Sequence, residues 1–204
     1  MDYLKILPES MEVLKKHKIK QDTAYSDPPI MIECDFSKGS WEVPKLVPYH
    51  NLSLDPATKV LHYAQGIFEG TKAYYVNKKG PLLFRVEDNY NRFVKSSIRS
   101  DIPVIPKNYF IDSINCLVKN CVSYIPEESR YSLYIRPFII ATEVGLGASS
   151  SKEFKFIVIA KVSKPYFNEN EEVSVFLERD FGRSCKNGLG SVKAISNYAA
   201  CMKI

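Results

Sequence analysis

Tyr131-Ser132-Leu133-Tyr134-Ile135-Arg136, running on through Phe138-Ile139-Ile140, alternates polar and apolar side chains with a period of two. That is the pattern of a β-strand with one face against a core. Residues two apart share a face, so Tyr134 and Arg136 project together from an otherwise apolar sheet. A buried guanidinium without an anion is costly. Arg136 therefore asks for a carboxylate, either from within the protein or from a ligand.

Outward from that strand, Phe154-Lys155-Phe156-Ile157-Val158-Ile159-Ala160 reads as a second one whose apolar end suggests a buried centre. Thr71 to Val76 and Pro81 to Arg85 flank the Gly-closed connection Asn77-Lys78-Lys79-Gly80, which makes a hairpin. Ile30 to Cys34 reads as a strand, Lys59 to Tyr63 as a short strand-like piece, and the Pro-rich stretch 41–56 as a loop. Residues 1–19 suit a helix with Leu4, Leu7, Met11 and Leu14 on one side. Glu87 to Arg99 places Tyr90, Phe93, Val94, Ser97 and Ile98 on one helical face before Pro103, and Asn108 to Tyr124 is apolar at helical spacing until Pro126. Helices and strands mingle without a regular β-α-β repeat, so the fold class is α+β (mixed α/β).

The organisation expected is a small N-terminal α/β domain over 1–164, an interdomain linker over 165–172, and the start of a larger domain over 173–204. Val173 to Leu177 should open that unit as a strand. Ser196 or Asn197 should cap a helix beginning at Tyr198. So short a tail buries no core of its own, and the sequence reads as a fragment of a longer protein.

Composition narrows the function classes. At 204 residues, 45% apolar and 25% charged, the chain has ordinary globular proportions. It holds no apolar run of membrane-spanning length, and Met1 to Lys5 lacks a signal-peptide core. The net charge of +5 is spread along the chain, unlike the one-faced cluster that nucleic acid selects. Five cysteines without a C-x-x-C pair and three scattered histidines indicate reduced thiols, a cytosol-like compartment and no metal site.

Gly188-Leu189-Gly190-Ser191-Val192-Lys193 sets one lysine among small residues, with Tyr198 five positions on. Small flanks suggest close backbone approach and burial. A desolvated lysine amine suits Schiff-base chemistry, for which pyridoxal phosphate is the commonest cofactor. The alternative is a solvated lysine on a Gly-rich turn. Arg92, beside core-facing Phe93, is either a solvated helix arginine or an anion clamp. Gly66 and Gly70 bracket Phe68, which either approaches a ligand or packs in a loop. Gly145-Leu146-Gly147-Ala148 lacks a Lys-Ser/Thr sequel, so it reads as a flexible loop rather than a phosphate cradle.

Leu61-His62-Tyr63 through Phe68-Glu69-Gly70-Thr71-Lys72-Ala73 resembles the "LHY…LFEGLKA" block of branched-chain amino-acid aminotransferases. Leu83-Phe84-Arg85 with Asn91-Arg92-Phe93, Ser132 through Pro137, and Gly188 through Tyr198 match further blocks in the same order. The resemblance implies the class IV pyridoxal-phosphate fold and transfer of the amino group of leucine, isoleucine or valine to 2-oxoglutarate. It implies that Lys193 holds pyridoxal 5'-phosphate as a Schiff base and shuttles a proton. Tyr198 would bind the cofactor's phenolic oxygen, Arg92 its phosphate, and Arg183 would be a second cofactor-site arginine. Tyr63, Phe68, Tyr134 and Tyr166 would wall the side-chain pocket, and Arg136 would receive the distal carboxylate of glutamate. Leu146 and Ala148 match a loop given to the partner of a homodimer, and a cytoplasmic or mitochondrial enzyme is implied.

Ile195-Ser196 stands where that family usually has Gly-Gly, adding bulk beside the cofactor. The carboxylate for the pyridine nitrogen and the Thr-rich turns for phosphate and substrate are expected beyond Ile204. The 204 residues alone should then bind cofactor weakly and turn over little. The rival readings are another class IV enzyme (a D-amino-acid aminotransferase or aminodeoxychorismate lyase) and a non-catalytic chain used for pairing or regulation.

Overall fold

The computed structural model describes residues 4–21, 24–76, 80–128, 130–168 and 170–202. In chain order the elements are β1 (Lys5–Ile6), α1 (Pro8–Lys16), β2 (Lys20–Gln21), β3 (Ala24–Tyr25), β4 (Ile30–Ser37), β5 (Ser40–Trp41), β6 (Lys45–Pro48) and α2 (Lys59–Tyr63). There follow β7 (Gly66–Phe68), β8 (Thr71–Tyr75), β9 (Pro81–Leu83), α3 (Val86–Arg99), α4 (Lys107–Asn120), a 3-10 turn (Val122–Tyr124), β10 (Ser132–Ala141), β11 (Phe154–Ser163) and α5 (Ser196–Ala199).

One sheet runs β1-β6-β4-β11-β10-β8-β9, antiparallel except for the β1–β6 pair. Strand β10 pairs along its whole length with β11, from Ser132 opposite Ser163 to Ala141 opposite Phe154. Its other edge is divided, with β8 against Leu133 to Ile135 and β7 against Phe138 to Ile140. Between them Glu69 and Gly70 interrupt the ladder, and the Glu69 N–H donates to Pro137 O at 2.8 Å. Proline has no N–H to give on that edge, so the interruption falls where the ladder already lacks a donor.

The period of two in β10 separates core from site. Leu133, Ile135, Ile139 and Ala141 point to one face with Phe154, Phe156, Val158 and Ala160 of β11 and Ile30, Ile32 and Cys34 of β4. Helices α3 and α4 cover that face through Phe93, Phe110, Ile114, Leu117 and Val118, all buried. Phe110 lies 5.0 Å from Phe93 and 6.1 Å from Phe156 between ring centroids. Each such fully buried ring contributes roughly 1.5–3 kcal/mol. Tyr134, Arg136 and Phe138 alternate onto the opposite face, which α3 and α4 leave open. All five cysteines are free, and burial, helped by Asp35 and then Glu42, pushes the Cys34 thiol up to about 12.

Several expectations hold. The hairpin forms between β8 and β9, although Asn77 to Lys79 at its tip lie outside the described residues. Both long helices and all three long strands are present, and the 145–148 stretch is a loop.

Others do not. The 1–19 helix is confined to Pro8–Lys16, because Leu4 to Ile6 are drawn out beside β6 instead; Met1 to Tyr3 are not described. Stretch 41–56 is not all loop, since Leu46 and Val47 of β6 are buried opposite Ile32 and Met31. Lys59–Tyr63 is a helical turn rather than a strand, ended by Ala64 at a left-handed φ of 50°. Its cause is Lys59, which is drawn inward to Glu143 (3.1 Å) and the Ser149 hydroxyl (3.0 Å). Val173 to Leu177 forms no strand, for no described segment lies alongside to pair with it, and Val175 and Phe176 are exposed. Most of Ile98 is exposed too, on the rim of the helical face predicted for it.

Candidate active site

The lysine stretch is laid on the sheet by backbone bonds on both sides. Ala194 bridges Ile67 of β7; the Phe68 N–H donates to Lys193 O at 3.1 Å, and the Ile195 N–H to Gly66 O at 3.0 Å. From helix α3, Ser96 Oγ accepts the Lys193 N–H at 3.0 Å. Ala194 therefore turns into the core, while Lys193 and Ile195 turn to the open face. A Cβ at Gly66 would stand 2.5 Å from Ile195 Cδ1, so glycine is what lets Ile195 seat there.

The loop before the lysine is closed by Asn197. Its Nδ2 donates to Leu189 O at 2.7 Å and to Val192 O at 2.9 Å. Neither Ser196 nor Asn197 caps α5, because the Asn197 amide is taken by these tertiary bonds. The close approach expected of Gly188 and Gly190 is present: a Cβ on them would meet Cys185 Sγ at 2.7 Å and Ser184 Cβ at 2.6 Å. Lys193 itself is half-buried rather than fully enclosed.

Lys193 Nζ donates to Tyr198 Oη at 3.3 Å and lies 4.6 Å from the Phe68 ring centroid. Phe68 and Tyr198 pack at 4.8 Å between centroids. These three line a cavity of about 630 Å³ with Tyr134, Arg136, Phe138, Ile159, Ile195 and Met202. Arg136 lies 4.5 Å from the Phe68 centroid and donates through Nη2 (2.9 Å) and Nε (3.2 Å) to Tyr134 Oη. No carboxylate pairs with Arg136 among the described residues. Of the two sources posed from sequence, the internal one is not used among the described residues.

Arg92 behaves differently. It is gripped by Glu69, which accepts from Arg92 Nε through Oε1 and from Nη2 through Oε2 at 2.8 Å. The Glu69 hydrogen bonds raise the Arg92 pKa, with a smaller upward contribution from Tyr198. Arg92 lines a neighbouring cavity of about 640 Å³ with Lys72, Arg85, Asn89 and Tyr134. Tyr134 is the wall between the two.

The remaining expected residues lie apart. The Tyr63 hydroxyl donates to Leu146 O, so these two meet one another, in a loop that exposes Leu146 and Ala148. Tyr166 is exposed and faces a third cavity. Arg183 is exposed. Sequence reasoning gave no role to Glu69 or Ser96, and to Asn197 only the helix cap that it does not form. Glu69 carried a signal, being a lone acid among Gly66, Ile67, Phe68 and Gly70, where only a cationic partner could stabilise it.

The donor set fits a pyridoxal-type aldehyde. A primary amine without a carboxylate partner among the described residues opens on an aromatic-walled cavity with a phenol beside it. No group of metal-ligating side chains occurs among the described residues, and no helix there is long and apolar enough to cross a membrane.

No family model matches the chain. A probable branched-chain-amino-acid aminotransferase of Streptomyces coelicolor is 43% identical over 180 residues, 87% of this chain and 49% of that protein. The Escherichia coli branched-chain amino acid aminotransferase structure superposes with a TM-score of 0.58 at 24% identity, over 82% of this chain and 53% of that one. A further solved branched-chain amino acid aminotransferase, with pyridoxamine 5'-phosphate, gives 0.53 at 22% identity, over 82% and 52%. At those identities the structures speak for the fold, which is the class IV fold expected. The chain spans about half the length of the curated relatives it matches. Over that shared span, this chain belongs to the branched-chain-amino-acid aminotransferase family.

Proposed function

We propose that this chain contributes the amine, the aromatic wall and the carboxylate receptor of an L-amino-acid transaminase that takes leucine, isoleucine or valine and 2-oxoglutarate. The observation that carries the reading is Arg136, half-buried without a carboxylate partner among the described residues, on the cavity that Lys193 enters. Such a site accepts an apolar side chain against its rings and a distal carboxylate at its one guanidinium.

Pyridoxal phosphate, when bound, supplies the electron sink for the substrate's α-carbon. Lys193 Nζ would hold it and afterwards carry the α-proton. Tyr198 Oη accepts from that amine and would donate its own hydrogen to the cofactor's phenolic oxygen. Phe68 and Tyr134 keep water off the reacting face. Arg92 would present the N–H groups that Glu69 leaves free to the phosphate; Arg183, exposed, is not used in this account. The domains at 1–164 and 173–204, the cytoplasmic setting and the homodimer belong to the same proposal. Support for the last is the loop of Leu146 and Ala148, held outward by Tyr63 and by the Lys59–Glu143 pair.

The test is chemical. The protein is incubated with pyridoxal phosphate, reduced with borohydride and mapped by mass spectrometry. The tag is expected on Lys193 and absent from Lys193→Ala. A tag on a different lysine removes the assignment. Faster amino transfer from D-alanine than from L-leucine would give the site to a different class IV enzyme.

A further inference from the structure

On the open face of the sheet, Lys72 of β8 and Lys161 of β11 both stand directly opposite Tyr134 of β10. Cross-strand neighbours share a face, so the phenol lies between two ammonium groups on adjacent strands, with Cα atoms about 10 Å apart. Arg136 is on the same face two residues along. Like charges ranged across a sheet repel, and a row of them is favourable only when an anion lies among them.

The hydrogen-bonding inventory agrees. Lys72 and Lys161 have no ion-pair partner among the described residues. Arg136 already fills the Tyr134 oxygen from two nitrogens, which leaves the phenol hydrogen to be donated outward. The row thus offers donors: two ammoniums, a phenol O–H and the outer guanidinium N–H. Its ring is fixed from beneath, since a Cβ at Gly70 would stand 2.2 Å from Tyr134 Oη. Lys72, Tyr134, Arg136 and Lys161 line a cavity of about 830 Å³ with Lys164 and Tyr166. The one acid lining it, Asp27, accepts the Val162 N–H at 2.8 Å through Oδ1.

We propose that Lys72, Tyr134 and Lys161 form an oxyanion-binding row, in the cavity that adjoins the amine cavity across Tyr134 and Arg136, that takes a dianion such as a dicarboxylate or phosphate. The row extends the charge at Arg136 sideways, so a dicarboxylate held there has one end beside the guanidinium that both cavities share. It acts as a landing site for the dianionic partner, and a monocarboxylate with an apolar tail gains little from it. The inference rests on the cross-strand register and is independent of whether Lys193 carries a cofactor.

Calorimetric titration of the protein free of pyridoxal phosphate tests it, with 2-oxoglutarate, inorganic phosphate and 4-methyl-2-oxopentanoate as the three ligands. Either dianion is expected to bind more tightly than the monocarboxylate, and to weaken about tenfold or more in Lys72→Gln/Lys161→Gln. The tighter of the two dianions names the natural ligand class. Binding should also fall as salt rises. Circular dichroism of the variant, whose substitutions are outside the core, checks that it is folded. Equal binding of the monocarboxylate, or unchanged dianion binding in the folded double variant, overturns the proposal. Borohydride tagging of Lys193 in that variant separates the two readings: a normal tag with lost dianion binding upholds both, and a normal tag with unchanged binding removes only this one.

Discussion

Arg92 and Glu69 are joined by two parallel hydrogen bonds, yet they are unequally placed: Glu69 is 0% exposed and the Arg92 side chain 53%. The pair therefore has a dependent member and an independent one. Deleting Arg92 strips a buried carboxylate of its main partner, leaving, among the described residues, the Asn89 amide and the Gly70 N–H. Deleting the charge on Glu69 leaves an arginine that can turn to water. Arg92→Ala should cost about 3 kcal/mol, against about 1 kcal/mol for Glu69→Gln. Urea unfolding midpoints at constant slope measure both, and the reverse order would contradict the burial argument.

Tyr134 depends on Gly70 in a steric way. A methyl group at position 70 would lie 2.2 Å from Tyr134 Oη and 2.9 Å from its Cζ. Gly70→Ala must move the ring, and with it the acceptor of both Arg136 bonds. A loss of about 1–3 kcal/mol is expected, as for other overpacked sites. Tyr134→Phe removes the nearer clash, so the double variant should recover part of that loss. A double-mutant cycle with no coupling between the two positions would count against the contact.

How much of this was legible in the sequence depended on where each segment finds its partners. The β10 alternation was readable because one face is dry and the other open, so its residues sort by side. Helices α3 and α4 were readable for the same reason at their own period. Helix α2 was not: its turn follows from Lys59 reaching Glu143, a contact distant in sequence. Strand β6 was hidden between Pro44 and Pro48, although buried Leu46 and Val47 decide it. Val173 to Leu177 has strand composition but no described neighbour, and strand propensity is packing on a pleated surface. In the site, the nearness of Lys193 and Tyr198 was readable because they stand five positions apart on one short turn. The Glu69–Arg92 pair was not, since it joins a strand break to a helix.

Glu143 gives the loop before β11 a dependence on pH. The Lys152 N–H, and after it Lys59, hold its carboxyl below the usual carboxylate value. A depressed folded pKa means that the anchor is at full strength above the unfolded value of 4.5 and fades as pH falls through the lower folded one. Residues 143–152 should loosen in acid before the sheet does. The protection factor of the Lys152 amide, compared between pH 6 and a buffer well below pH 4.5, should show protection lost early in the wild type. Glu143→Gln should flatten that dependence; a loop that exchanges alike at both pH values has no such anchor.

Asn197 couples the lysine loop to the helix after it. Both of its amide hydrogens go to carbonyls of the loop, at Leu189 and Val192, and Asn197 is itself buried. Removing them leaves two carbonyls without donors and frees the chain on the N-terminal side of Lys193, while the bonds of Lys193 and Ile195 to β7 remain. Asn197→Ala should therefore cost about 1–3 kcal/mol without abolishing the fold. Its larger effect should be on chemistry, since an amine held less firmly beside Tyr198 is in reacting geometry for less of the time. Borohydride tagging of Lys193 by pyridoxal phosphate should slow several-fold in Asn197→Ala. Asn197→Asp, isosteric but unable to donate, should behave like alanine. If aspartate instead restored the wild-type rate, shape rather than hydrogen bonding would be what Asn197 supplies.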